Sequence, residues 1–118
     1  MRRQGSTLVS VLVPVRDAEA YLDEALRSLA QQTHENLEVI VVDDGSHDAS
    51  GDIARDWARR DPRFRIVSQE PLGFVAASQR ALAEARGRYV AAMGADDVAR
   101  PRRLEVQLAA LEEEGLDA

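Results

Sequence analysis

The most constraining stretch of this chain is "LEVIVVDD", Leu37 to Asp44. Its first six residues are almost continuously apolar and rich in β-branched side chains, which suits a strand. A strand at a solvated surface alternates polar and apolar residues. A run without that alternation needs cover on both faces, as an inner strand of a parallel sheet has. The run ends on two adjacent carboxylates, Asp43 and Asp44, followed by Gly45 and the polar cluster "SHDAS". Charges at the end of a buried strand require hydrogen-bond partners or a ligand.

The rest of the chain arranges itself around that strand. Thr7 to Val13, "TLVSVLV", is a short β-rich run stopped by Pro14. From about Ala20 to Gln31, Leu22, Ala25, Leu26 and Leu29 recur at helical spacing and mark one buried face. Ser50 to Arg60 reads as a helix with Ile53 and Trp57 four apart and arginines at its C-terminal end. "FRIVS" is a third strand. Phe74, Ala77, Ala81, Leu82 and Ala85 trace a helix face closed by Gly87 as its C-cap. "YVAAM" is a fourth strand, and after "GADD" Pro101 opens a helix striped by Leu104, Leu108 and Leu111. His34 and His47 are expected at the surface, Trp57 in the core. Strand and helix thus alternate four times, which predicts an α/β three-layer sandwich with a mainly parallel sheet and right-handed crossovers.

Composition narrows the function. The 118 residues suit one domain. A formal net charge of −6 lacks the basic face that nucleic-acid binding requires. The chain has no cysteine, so disulfides and thiolate metal sites are excluded, and neither histidine has a trustworthy ligand spacing to a second one. All fifteen basic residues are arginine, which excludes any lysine-dependent mechanism. No apolar run approaches the roughly 20 residues that span a bilayer. Arg2 and Arg3 precede an apolar run, but Ser10 and Pro14 interrupt it and no small-residue cleavage site follows, so a strand is expected there, not a leader.

In an open parallel sheet, ligands bind beyond the carboxyl ends of the strands. Three polar clusters fall there: "PVRD" after the first strand, "DDGS" after the second and "GADD" after the fourth. Acidic pairs on one rim suit a hard divalent cation, and a carboxylate also accepts hydrogen bonds from a base imide or a ribose. Together these uses describe a site for a nucleotide diphosphate.

Those same residues carry a resemblance. "VSVLVPVRDAEAYLDEALRSLAQQTHENLEVIVVDDGSHDASGDIA" and "LGFVAASQRALAEARGRYVAAMGADDVARPRRLEVQLAAL" resemble the N-terminal half of family 2 glycosyltransferases. These are inverting enzymes of the Rossmann-like GT-A fold, the nucleotide-diphospho-sugar transferase type. The resemblance implies that Pro14, Val15 and Asp17 line the pocket for the donor's base. It implies that Asp44, or its neighbour Asp43, hydrogen-bonds base or ribose. Asp96 and Asp97 would both stand in the acidic metal motif, one touching ribose and one holding Mn²⁺ or Mg²⁺ on the diphosphate. A UDP-sugar is the donor most typical of the family. The acceptor, whether glycan, lipid or protein, stays open, with polysaccharide biosynthesis the natural setting. A cytoplasmic protein, working there or at the inner face of the membrane, is the matching expectation.

The chain departs from the family pattern at several points. Arg16 and Asp17 stand where tyrosine and asparagine are common, Gly94 replaces the first aspartate of the acidic run, and Ser78 and Gln79 replace an arginine and an asparagine. The resemblance also puts the catalytic base beyond Ala118, so residues 1–118 are expected to be a single truncated donor-binding domain without the acceptor half. Such a half-domain is expected to expose apolar surface and to self-associate. The alternative is a non-catalytic nucleotide-sugar-binding or structural module of the same fold. A receiver domain needs a lysine, a dinucleotide-binding domain needs G-x-G-x-x-G after its first strand, and a P-loop needs its glycine–lysine loop. The chain has none of these.

Overall fold

The computed structural model of the chain describes residues 7–114. Arg2, Arg3 and the last four residues of the polar end "LEEEGLDA" lie outside the described residues. Eight elements alternate: β1 (Val9–Val15), α1 (Leu22–Ala30), β2 (Leu37–Asp44), α2 (Ser50–Arg60), β3 (Phe64–Gln69), α3 (Phe74–Glu84), β4 (Tyr89–Ala92) and α4 (Arg103–Glu113). The four strands form one parallel sheet in the order β3-β2-β1-β4. Every residue of β2 is buried, as its unbroken apolar run requires.

The strand order explains the layers. The first two crossovers step from β1 to β2 to β3 in one direction, so right-handed connections lay α1 and α2 on the same face. The third crossover reverses, from β3 back past β1 to β4, and α3 therefore lands on the opposite face. Packing follows this division. Val9, Val11, Val13 and Val15 of β1 and Leu37, Val39 and Val41 of β2 join Leu22, Leu26, Leu29, Trp57, Leu104 and Leu108 in one large cluster. The alternate residues Leu12, Ile40 and Val42 pack with Ala77 and Ala81 of α3 in a smaller one. Trp57 is buried against Phe64, ring centroids 5.3 Å apart, and its indole N–H donates to Asp23 Oδ1 at 2.9 Å. The reversal makes β1 and β4 the topological switch point, and a ligand crevice is expected at its carboxyl end.

Four sequence expectations need correction. Pro14 does not stop the first strand: β1 runs to Val15, with Pro14 opposite Val42. Val9 donates its amide to Asn36 O on the β2 side, and amides alternate sides along a strand. The Pro14 nitrogen therefore faces the β4 side, where pairing has already ended at Leu12–Ala92, and no ladder bond is lost. Gly87 is not the C-cap of α3, which ends at Glu84 with Ala85 extended. A Cβ at Gly87 would stand 2.7 Å from the Ser10 nitrogen and 2.8 Å from Leu8 O, so close backbone approach requires the glycine.

Phe74 and Leu82 do not belong to the buried face of α3. They are 73% and 55% exposed, and only Ala77 and Ala81 of that face are fully inside. His34 is not at the surface. It is buried, with Nε2 at 2.8 Å from Thr7 O, which ties the chain before β1 to the approach of β2.

Candidate functional site

The adjacent carboxylates of β2 point in opposite directions, because successive side chains of a strand leave opposite faces of the sheet. Asp43 shares its face with Val39 and Val41 and serves the start of α2. Its Oδ1 accepts the Ser46 amide at 3.1 Å, and its Oδ2 lies 2.8 Å from where a Cβ on Gly51 would be. Asp44 shares its face with Ile40 and Val42 and serves the start of α3. Its Oδ1 accepts from Gln69 Nε2 at 2.9 Å and from the Leu72 amide at 2.8 Å, and its Oδ2 accepts the Gly73 amide at 3.0 Å. These donors, Gln69 first and the Leu72 amide next, hold the Asp44 carboxyl below its ordinary pKa, with Arg16 adding attraction. A carboxylate before a helix N-terminus also complements the helix dipole.

Two glycines make this geometry possible. Gly45 turns the chain off the strand at φ +71°, with Pro71 Cδ only 2.6 Å from where a Cβ would sit. Gly73, the N-cap of α3, adopts φ +105°, which brings its amide to Asp44.

Beside Asp44 the carboxyl ends of β1 and β2 and the first turn of α3 enclose a cleft of about 180 Å³. Pro14, Val15 and Arg16 line it from β1, Gly73, Phe74 and Ala77 from α3, and Asp44 from β2. Of the residues expected from the sequence, the structure brings Pro14, Val15 and Asp44 together in this cleft. Asp43 faces the other side of the sheet. Asp17 does not line the cleft either. It is a left-handed residue at φ 51°, whose Oδ1 accepts the His47 amide at 2.7 Å while its own amide donates to Ser46 Oγ at 2.9 Å. Ala18 to Ser50 Oγ, Glu19 to Asp48 Oδ2 and Ala49 to Glu19 Oε2 extend the same clasp. It fixes the loop after β1 to the loop after β2, and so fixes Arg16 at the cleft.

Asp96 and Asp97 lie in the loop after β4, on the other side of β1. Both are exposed. Asp97 Oδ2 accepts the Gly94 amide at 3.2 Å, and the Asp97 amide donates to Gly94 O at 3.1 Å. Asp96 Oδ1 and Asp97 Oδ2 stand 3.1 and 3.0 Å from the position of a Cβ on Gly94, so both carboxylates border the same small space. Two hard oxygen donors with open surroundings suit a divalent cation that takes its remaining ligands from water and a diphosphate. Among the described residues no group of three or more His, Asp or Glu side chains is poised to hold a metal by itself. Since β2 and β4 flank β1, Asp44 and this loop are about two strand spacings apart, roughly 10 Å.

The acidic loop is anchored from beneath by Gln32, which is buried. Its Nε2 donates to Arg100 O at 2.7 Å and to Ser28 O at 3.2 Å, and its Oε1 accepts the Leu104 amide at 3.0 Å. Thr33 adds its amide to Pro101 O at 2.8 Å, and the Ala99 amide donates to Ser28 Oγ at 2.9 Å. Sequence reasoning did not assign Gly73, Phe74 or Ala77 to the site. The glycine before a helix was the available signal for the first. Nothing local could have brought α3 to β1, because that contact follows from the reversed crossover.

Comparison with known proteins gives a consistent result. Residues 10–118 match the family described as Glycosyl transferase family 2. The chain is similar to EpsH of Bacillus subtilis, 42% identical over 100 residues, covering 85% of this chain and 29% of EpsH. It is similar to the glycosyltransferase GlyG of Streptococcus pneumoniae, 34% identical over 95% of this chain and 38% of GlyG. The chain thus spans well under half of either relative's length. Among solved structures it resembles S. aureus TarS 1–349, with a TM-score of 0.82 at 29% identity, covering 91% of this chain and 33% of that one. That protein is also solved in complex with UDP-GlcNAc. A mannosyltransferase from Pyrobaculum calidifontis, solved with GDP-Man and Mn²⁺, gives a TM-score of 0.72 at 30% identity over 86% of this chain and 31% of that one.

Proposed function

The chain belongs to glycosyl transferase family 2, and from that premise we propose that its cleft binds the nucleoside of a nucleotide-diphosphate sugar. The observation that carries this reading is Asp44, a charged acceptor in a cleft at the carboxyl end of the sheet. Three protein donors occupy part of its acceptor capacity, and a carboxylate has about four lone-pair sites, so one more donor from base or ribose can be accommodated. Pro14 and Val15 form the apolar wall. Asp43 and Asp17 act at one remove, by shaping the loops beside the cleft.

The diphosphate would extend from the cleft past β1 to the loop after β4, where Asp96 and Asp97 would hold Mn²⁺ or Mg²⁺. When bound, the metal supplies Lewis-acid stabilisation of the leaving diphosphate. The complex of the similar mannosyltransferase with GDP-Man and Mn²⁺ supports that assignment. UDP is the nucleotide we assign, by analogy with TarS in complex with UDP-GlcNAc.

The reaction proposed is transfer with inversion. The acceptor oxygen forms its bond to the anomeric carbon as the bond from that carbon to the diphosphate breaks, and the nucleoside diphosphate departs. The acceptor's proton passes to a base. In this reading the base and the acceptor site come from a region that the relatives have in addition to the matched third, and residues 10–118 supply the donor half. No helix among the described residues is long and apolar enough to cross a membrane. Titration calorimetry with UDP, with and without Mn²⁺, tests the reading. Binding that requires metal and vanishes in Asp97→Ala supports it, and absence of binding under every condition rejects it.

A further inference from the structure

Phe74 is a large apolar side chain held in the open. It is 73% exposed, belongs to neither hydrophobic cluster, and has no aromatic partner among the described residues. A phenylalanine this exposed at the first position of a helix contributes little to the core. Its position is specific all the same. Phe74 lines the 180 Å³ cleft, beside the Gly73 amide that holds Asp44, while Arg16 lines the other wall.

Two different recognition elements therefore meet in one small space. One is a charged acceptor suited to an N–H or O–H donor, and the other is a flat apolar face suited to a flat ligand ring. A nucleobase presents both complements at once. Every base has a π-face, and stacking on an aromatic side chain contributes without regard to which base it is. A diphosphate offers no ring, and a sugar ring can lay C–H groups on the phenyl face but has no π-face of its own.

We propose that Phe74 is the stacking platform for the nucleobase of the ligand, and that it discriminates a nucleoside diphosphate from a bare diphosphate. The inference rests on the donor-site reading above and adds a residue to it. Arg16 on the facing wall presents a guanidinium plane that covers the other side of the base or meets its phosphates. Leu72 and Val75 are exposed to similar degrees, 65% and 66%, but neither lines the cleft, so they separate stacking from general surface hydrophobicity.

The test is calorimetric titration of four proteins: wild type, Phe74→Ala, Phe74→Trp and Val75→Ala. The probes are UDP, GDP and inorganic pyrophosphate, each with Mn²⁺. Phe74→Ala should weaken both nucleotides about tenfold or more, Phe74→Trp should retain them, and Val75→Ala should leave them unchanged. Pyrophosphate should bind all four proteins equally. Far-ultraviolet circular dichroism and the thermal midpoint verify that each variant is folded.

Equal nucleotide affinity in wild type and Phe74→Ala overturns the platform and leaves the donor site standing. A parallel loss of pyrophosphate in Phe74→Ala also overturns it, because the residue would then be shaping the loop. Pyrophosphate binding to wild type with no binding of either nucleotide removes the nucleobase subsite while the metal site stands. If wild type binds no probe, the donor-site reading itself fails, and the platform with it.

Discussion

At the residue scale, Asp44 connects fold and site. One carboxylate closes the entrance of α3, accepts a side-chain amide from β3 and lines the cleft. Asp44→Asn keeps the shape but replaces one oxygen with a donor that confronts the Leu72 or Gly73 amide. The variant should unfold at lower temperature and bind UDP more weakly, which differential scanning and titration calorimetry measure. Asp97→Ala should abolish metal-dependent binding with the thermal midpoint unchanged, since that side chain is exposed. The pH dependence follows from carboxyls held below their ordinary range, six among the described residues, including Asp44, Asp61 and Glu38. Gln69 and the Leu72 amide act on Asp44, and the Arg63 side chain acts on Asp61. At Glu38 burial works the other way, but Ser10, the Arg86 amide and Arg65 together prevail. Each group binds protons more readily unfolded than folded. Their stabilisation is therefore complete above the unfolded carboxylate range, about pH 4 to 5, and is lost as pH falls through the lower folded values. Denaturant midpoints measured from neutral to acid pH should fall on acidification, and less steeply in Asp44→Asn.

At the element scale, the short connections do the positioning. Gln32 joins α1, α4 and the acidic loop through three hydrogen bonds, two of them to the main chain of the segment after β4. Gln32→Ala leaves the buried Leu104 amide without its partner and removes the bond to Arg100 O. It should cost about 1–3 kcal/mol of stability, read from urea unfolding, and should also weaken metal-dependent binding by loosening the loop. Gly87→Ala should destabilise through the contact with Ser10. Elements were legible in the sequence where period and composition agreed: α2 falls at its expected residues, and β2 could hardly be anything else. Legibility failed where tertiary context decides. Pro14 was read as a stop because it lacks an amide, but that position faces the β4 side, where pairing has already ended. The α3 stripe overstated burial because a single helix covers that face of the sheet, so only the small residues Ala77 and Ala81 are enclosed. In the site, the acidic pairs gave the rim, whereas the clasp around Asp17 depends on loops meeting across 29 or 30 residues of sequence, and Phe74 reaches the cleft only because α3 packs over the ends of β1 and β2.

At the scale of the whole molecule, the reversal of strand order places the site. β1 sits between β2 and β4, so Arg16, Asp44 and Asp97 stand at or just beyond the carboxyl ends of three neighbouring strands along one edge. The large cluster packs beneath them. Leu26→Ala, at its centre, should cost about 2–5 kcal/mol with the denaturant slope unchanged, and should leave the affinity of the folded fraction for UDP intact. The central claim is one of location: the cleft beside Asp44 is where a nucleoside diphosphate sits. A two-dimensional amide NMR titration with UDP and Mg²⁺ tests this most directly. Leu72, Gly73 and Phe74 around the Asp44 carboxylate, Arg16 across the cleft and Gly94 to Asp97 beyond β1 should all shift in one saturable transition. Shifts confined to other surfaces, or a spectrum unmoved by saturating UDP and Mg²⁺, would contradict the account.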